Sequence, residues 1–118
     1  MTVVALLVLL VAACFEIIGD VKIGQGFATG SAASVLLGWL FLGFYGMVVN
    51  GYSRFTNGMN FARMLGVYIA VFAMVNLLLG LKRAPADVSI ATIVGTVVIV
   101  LGGIIIQFGE PIGKILTR

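Results

Sequence analysis

The sequence is dominated by four apolar stretches, each about as long as a bilayer's hydrocarbon core is thick. A helix needs about 20 apolar residues to cross that core, because each residue advances it by about 1.5 Å. The runs do not alternate polar with apolar residues, as the strands of a transmembrane β-barrel do. The sequence therefore predicts an all-α integral membrane protein with four short transmembrane helices, forming a single domain over residues 1–118. The predicted helices span residues 3–20, 32–49, 60–81 and 88–108.

Composition supports a lipid environment and argues against several classes of function. Of all residues, 62% are hydrophobic and 9% are charged, whereas about 25% of the residues of a soluble domain are charged. The net charge of +3 comes from scattered Lys and Arg, so no basic run suits a nucleic acid. With no histidine and one cysteine, imidazole ligands and intrachain disulfides are excluded. We expect no metal, no cofactor, no nucleic-acid partner and no enzymatic activity.

Glu16 is the residue that most needs an explanation, because it lies inside the first apolar stretch. A carboxylate in hydrocarbon is costly unless it is protonated, paired or hydrated, and such residues usually line a cavity on an ion or substrate pathway. The alternative is a structural hydrogen bond to a neighbouring helix. Ala12 and Ala13 share its helical face and leave room beside it. Asp20, one turn further on, either adds negative potential or caps the helix end near water.

The third apolar stretch carries a second candidate surface. Phe61, Met64 and Tyr68 share one helical face. Aromatic side chains on a cavity wall suit an organic cation through cation–π contact, although a packed aromatic stripe is the alternative. Arg63 lies on the face opposite Phe61, and it either pairs with an acidic residue or extends to the lipid headgroups.

Glycines form a smooth face on the fourth apolar stretch. Gly95, Gly102 and Gly109 recur every seven residues. Small residues allow close helix packing in lipid, where no hydrophobic effect drives helices together. This face serves either packing within the chain or a dimer interface.

Positive charges are shared almost equally between the two membrane sides if the helices alternate in direction. One side receives Lys22, Lys82 and Arg83, and the other receives Arg54, Arg63, Lys114 and Arg118. The positive-inside rule then has little to act on. We therefore expect the chain to insert in both orientations, and oppositely oriented copies to pair.

Three local patterns resemble the small multidrug resistance (SMR) family of proton-coupled exporters. Residues 15–19 (FEIIG) resemble its first-helix motif, residues 58–68 (GMNFARMLGVY) its third-helix motif, and residues 95–103 (GTVVIVLGG) its fourth-helix dimerisation motif. The EIIG and GVY segments look closest to the YnfA-like branch. The chain departs from drug-exporting members at Met64, where they usually have tryptophan, and at Arg63, where they have an apolar residue.

The resemblance implies an antiparallel homodimer with alternating access, in which two Glu16 side chains share a pocket and bind protons and substrate in turn. We predict a proton and substrate site and a separate dimer interface on the fourth helix. The site comprises Glu16, Asp20, Ala12, Ala13, Phe61, Met64 and Tyr68, and the interface comprises Gly95, Gly102, Gly103 and Gly109.

The predicted function is proton-coupled export of small or lipophilic organic cations across the inner (cytoplasmic) cell membrane, by a multi-pass homodimer. Two alternatives stay open. One is an accessory or structural subunit of a larger membrane complex, and the other is a small channel or lipid-headgroup flippase.

Overall fold

The computed structural model describes residues 3–55 and 61–117, apart from the side chains of residues 53–55, 61 and 111. Every regular element in those residues is helical. The α-helices are α1 (Val3–Thr29), α2 (Ala32–Phe55), α3 (Phe61–Arg83) and α4 (Ile90–Leu116), and a 3-10 turn at Pro85–Asp87 joins α3 to α4. All four α-helices are long and apolar enough to span a membrane. The all-α, four-helix prediction is confirmed, and these features are those of a multi-pass membrane protein.

Contacts along the chain divide it into two compact units, each of which is a helical hairpin. One unit holds α1 and α2, whereas the other holds α3, the 3-10 turn and α4. The single domain over residues 1–118 stays a prediction.

The turn between α1 and α2 explains why α1 reaches Thr29, well beyond the predicted end near residue 20. Polar residues such as Asp20 do not interrupt the backbone hydrogen bonds, so they do not end the helix. The break comes at Gly30, whose φ of 69° lies in the left-handed region that glycine adopts readily. The Ser31 N–H then donates to the Gly26 carbonyl at 2.9 Å. The Ser31 hydroxyl accepts from the Ser34 N–H at 3.3 Å and caps the start of α2.

The polar residues that were predicted to end α2 near residue 49 are also accommodated inside the helix. The Asn50 side-chain amide donates to the Gly46 carbonyl one turn earlier, at 2.8 Å. This bond satisfies the amide within its own helix, so α2 continues to Phe55. The observed α3 agrees with the predicted helix to within two residues at each end.

The fourth helix is also longer than predicted. It begins after Ser89, whose hydroxyl accepts from the Thr92 N–H at 3.1 Å. The prediction ends this helix near residue 108, because Pro111 has no N–H for the carbonyl four residues before it. The helix instead runs through Pro111 to Leu116. The end predicted at residue 108 is therefore wrong, and Arg63 supplies the physical reason, as described below.

Glycines allow α1 and α2 to approach each other closely. A Cβ placed at Gly38 would lie 2.5 Å from Ile23 Cγ1 and 2.7 Å from the Gly19 carbonyl oxygen. A Cβ at Gly19 would lie 2.8 Å from Leu42 Cγ. Since no side chain fits at either position without movement, the two backbones cross at Gly19 and Gly38.

Small residues also allow α3 and α4 of the second hairpin to approach each other closely. A Cβ at Gly66 of α3 would lie 2.5 Å from Ile106 Cδ1 of α4, and a Cβ at Gly103 would collide with the side chain of Ala70. Small residues therefore set the close approach of α3 and α4, as is usual for helices packed in lipid.

We predict that Gly38→Leu destabilises the first hairpin, whereas Gly43→Leu does not. The new side chain at Gly38 would overlap Ile23 and the backbone of Gly19, which should cost about 1–3 kcal/mol or more. Gly43 has no atom within 4 Å of its Cβ position, so leucine should be neutral or slightly stabilising there. Thermal unfolding in detergent, followed by circular dichroism, measures the difference. Equal melting temperatures for the two variants would contradict the Gly19–Gly38 crossing.

Candidate proton and cation site

Glu16 is the central residue of α1, equally far from Val3 and Thr29. At about 1.5 Å per residue, it lies about 20 Å from either end of the helix. The extension of α1 to Thr29 therefore places Glu16 at the centre of the helix rather than four residues from the predicted end at residue 20. Its side chain is half-buried.

The helical face around Glu16 is formed by small and buried side chains. Ala12 and Ala13 are 0% exposed, and Leu9, two turns before Glu16, is 2% exposed. Ala12 and Ala13 lie four and three residues before Glu16 in α1, on the same face of the helix, and their part in a proton and substrate site stays a prediction. A methyl group occupies little of the space beside the carboxylate.

Asp20 lies one turn after Glu16 and is exposed. The interpretation that Asp20 caps the end of the first helix is wrong, because α1 continues for nine residues beyond it. Asp20 stands about 6 Å further along the helix axis than Glu16. Its contribution to the negative potential around Glu16 stays a prediction.

The predicted residues of the third helix lie in the other hairpin. Met64 and Tyr68 are each 3% exposed and occupy neighbouring turns of α3. The Tyr68 ring lies 6.3 Å from the Phe72 ring, between centroids. The side chain of Phe61 lies outside the described residues. A cavity that joins these residues to Glu16 stays a prediction.

An aromatic cluster beside Glu16 was not predicted from the sequence. The Phe15 ring lies 5.8 Å from the Phe41 ring and 6.0 Å from the Phe44 ring, between centroids. Phe15 precedes Gly19 by one turn, and Phe41 follows Gly38 by about one turn, so the cluster lies next to the glycine crossing. The i, i+3 spacing of Phe41 and Phe44 was the available signal. These rings hold α1 on α2 at the level of Glu16.

Arg63 has a role that neither sequence interpretation anticipated. Its guanidinium donates a hydrogen bond to the backbone carbonyl of Gln107 in α4. That carbonyl would normally accept from the N–H of residue 111, but residue 111 is proline and has none. Arg63 therefore supplies the missing donor, which explains how α4 continues past Pro111. The cationic side chain links α3 to α4 within one hairpin.

Three of the four glycines predicted at a dimer interface have open or loosely occupied surroundings. A Cβ at Gly95 or Gly102 would meet no atom within 4 Å, and one at Gly109 would meet only the side chain of Ile105, at 3.8 Å. Gly103 instead faces Ala70 inside its own hairpin.

In comparisons with protein families, with curated proteins and with solved structures, no match to this chain is found. The site must therefore be interpreted from its own chemistry. Among the described residues, no group of three Cys, Asp or Glu side chains could hold a metal ion. The chemistry that Glu16 offers in an apolar helix is binding a proton or pairing with a cation.

We predict that replacing Pro111 rescues the loss of Arg63. Arg63→Leu leaves the Gln107 carbonyl without its donor and should cost about 1–3 kcal/mol. Pro111→Ala restores the helical N–H, so the same Arg63→Leu change should cost at least about 1 kcal/mol less in that background. Other contacts of Arg63 are lost equally in both backgrounds. A double-mutant cycle of unfolding free energies measures the coupling, and strictly additive effects would contradict this role.

Proposed function

We propose that this chain is a proton-coupled exporter of small or lipophilic organic cations. The observation that carries the proposal is the carboxylic acid of Glu16 at the centre of an apolar helix, half-buried on a face with small side chains. A structural role alone would not need an ionisable group, since an amide makes comparable hydrogen bonds without the cost of a buried charge. The resemblance of residues 15–19 to the SMR first-helix motif supports the same role.

The proposed mechanism is competition at one carboxylate. Glu16 holds either a proton or an organic cation, because each neutralises its charge within the apolar helix. An organic cation replaces the proton by neutralising the carboxylate, and cation–π contact with aromatic rings provides apolar attraction. Exchange of one for the other then couples export to a proton gradient.

A homodimer is part of the proposal. Two oppositely oriented copies would present their Glu16 side chains to one pocket, which can open to either side of the membrane. The near-equal distribution of Lys and Arg between the two sides supports such dual insertion. The open positions on α4 at Gly95 and Gly102 offer a face for the partner copy.

We predict that Glu16→Gln abolishes cation binding while the protein still folds. Glutamine keeps the shape and hydrogen-bonding capacity of the side chain but cannot ionise. In the natural chain, binding of a labelled lipophilic cation such as tetraphenylphosphonium should weaken as the pH falls, because protons compete for the same group. Glu16→Asp should keep binding with a shifted pH dependence.

Glu110→Gln is the matched control, since Glu110 is an exposed acid near the other end of the chain. It should bind the cation as the natural chain does. Cation transport by Glu16→Gln against a proton gradient would contradict the mechanism. Loss of folding in Glu16→Gln alone would instead favour an accessory subunit with a structural Glu16.

We predict that Gly102→Leu separates the dimer, whereas Gly103→Leu unfolds the hairpin. Leucine at Gly102 points into open space and alters only the outer face of α4, but leucine at Gly103 collides with Ala70. Light scattering in detergent should give the mass of a monomer for Gly102→Leu. Its circular dichroism spectrum should show unchanged helix content. Gly103→Leu should lower the melting temperature. A full dimer in Gly102→Leu would place the interface elsewhere.

A further inference from the structure

A cleft of about 520 Å³ opens between α3, the 3-10 turn and α4. It belongs to the second hairpin and is lined by none of the residues assigned above to proton or cation exchange. Its volume falls within the range of pockets that hold small organic ligands. Four polar side chains line it, namely Asn76, Asp87, Thr92 and Thr96.

The polar groups that line the cleft lie at different distances from the turn that joins α3 to α4. Asp87 lies in the 3-10 turn between the two helices that are long and apolar enough to span a membrane. Thr92 comes less than one turn into α4. Asn76 and Thr96 lie about 10 Å inside their helices, at 1.5 Å per residue. Below them the cleft is apolar, with Phe72 about 16 Å from the end of α3.

We propose that this cleft binds a phospholipid with a primary ammonium headgroup, such as phosphatidylethanolamine. The order of these side chains follows the order of groups in such a lipid: ammonium, phosphate, ester and acyl chain. The interfacial region of a bilayer is about 5–8 Å thick on each side, so Asn76 and Thr96, about 10 Å inside their helices, lie just below it and within side-chain reach of the ester oxygens. One acyl chain extends along Phe72 and Ile99.

Charge complementarity selects the headgroup. Asp87 is the one ionisable side chain that lines the cleft within the described residues, and its carboxylate suits an ammonium group. Lys82 and Arg83, exposed in the last turn of α3, suit the phosphate. An anionic lipid would place its terminal hydroxyls, which lack a positive charge, against Asp87.

The position of Phe72, the aromatic residue that lines the cleft, argues against a choline headgroup. A trimethylammonium group has no N–H donor for the Asp87 carboxylate or the Thr92 hydroxyl. It gains most from an aromatic face within about 6 Å, but Phe72 lies at the depth of the acyl chain. A primary ammonium therefore fits the groups at the mouth of the cleft better.

The hydrogen-bonding state of Asn76 gives a second reason for a polar ligand at depth. Its side chain is exposed, and no hydrogen bond joins it to any residue in the described ranges 3–55 and 61–117. An amide without a partner in hydrocarbon is unfavourable. The ester oxygens of a lipid provide the acceptors that Asn76 needs.

Titration of the purified protein with lipids, followed by native mass spectrometry, tests the proposal. Phosphatidylethanolamine, phosphatidylcholine and phosphatidylglycerol with identical acyl chains are compared. We expect phosphatidylethanolamine to bind about tenfold more tightly than the others. Asp87→Asn should remove that preference, and it should fold normally because the turn is held by the backbone bond from the Asp87 N–H to the Ala84 carbonyl, at 3.0 Å. Asn76→Leu should weaken all three lipids.

Glu110→Gln is again the matched control and should keep the preference. Equal binding of the three lipids by the natural chain, or an unchanged preference in Asp87→Asn, would overturn the proposal. Either result would indicate that the cleft does not select a lipid headgroup. The site is independent of the exporter mechanism, so Asp87→Asn should bind the labelled cation normally. If that variant instead lost cation binding, the cleft would belong to the transport pathway and the lipid proposal would fail.

Discussion

A helix in hydrocarbon must satisfy its backbone hydrogen bonds without water, and the described structure follows from this requirement. It explains why the described regular elements are helical, and why the turn after α1 and the start of α4 have specific hydrogen-bond partners. Gly30 and Ser31 close the end of α1 and open α2, and Ser89 caps α4. The same requirement explains Arg63, whose guanidinium provides the donor that proline removes from α4. A charged side chain is thus retained where an apolar one would leave the Gln107 carbonyl unsatisfied.

The second requirement is packing, because lipid provides no hydrophobic force between helices. Both hairpins meet it by bringing backbones together at glycine: Gly19 with Gly38, and Gly103 with Ala70. The remaining large apolar side chains, such as Trp39 and Ile105, are mostly exposed, as expected for surfaces that face lipid. Because a few small residues provide the close packing, neighbouring positions on the same helices can carry functional side chains. Glu16 lies about one turn from Gly19, where α1 and α2 approach closely.

The number and type of the helices could be predicted from the sequence, because stretches of about 20 apolar residues have few other solutions. The position of Glu16 inside a span followed from the same reading. Helix ends were less predictable: Asp20 and Asn50 look like breaks, but a polar side chain can lie outside the helix or bond to its own backbone. The Arg63–Gln107 bond joins residues 44 positions apart, so no local pattern could predict it. Gly103 was grouped with Gly102 by sequence, yet the two adjacent residues point in different directions, and only Gly103 meets α3.

The account depends most on one claim, that proton and cation bind the same carboxylate. Proton release on cation binding tests it directly. The purified protein, in weakly buffered detergent solution at a series of pH values, is mixed with the lipophilic cation while a pH indicator is recorded. The account predicts proton release that saturates with cation binding and is absent in Glu16→Gln. Saturable cation binding by the natural chain without any released proton would contradict it.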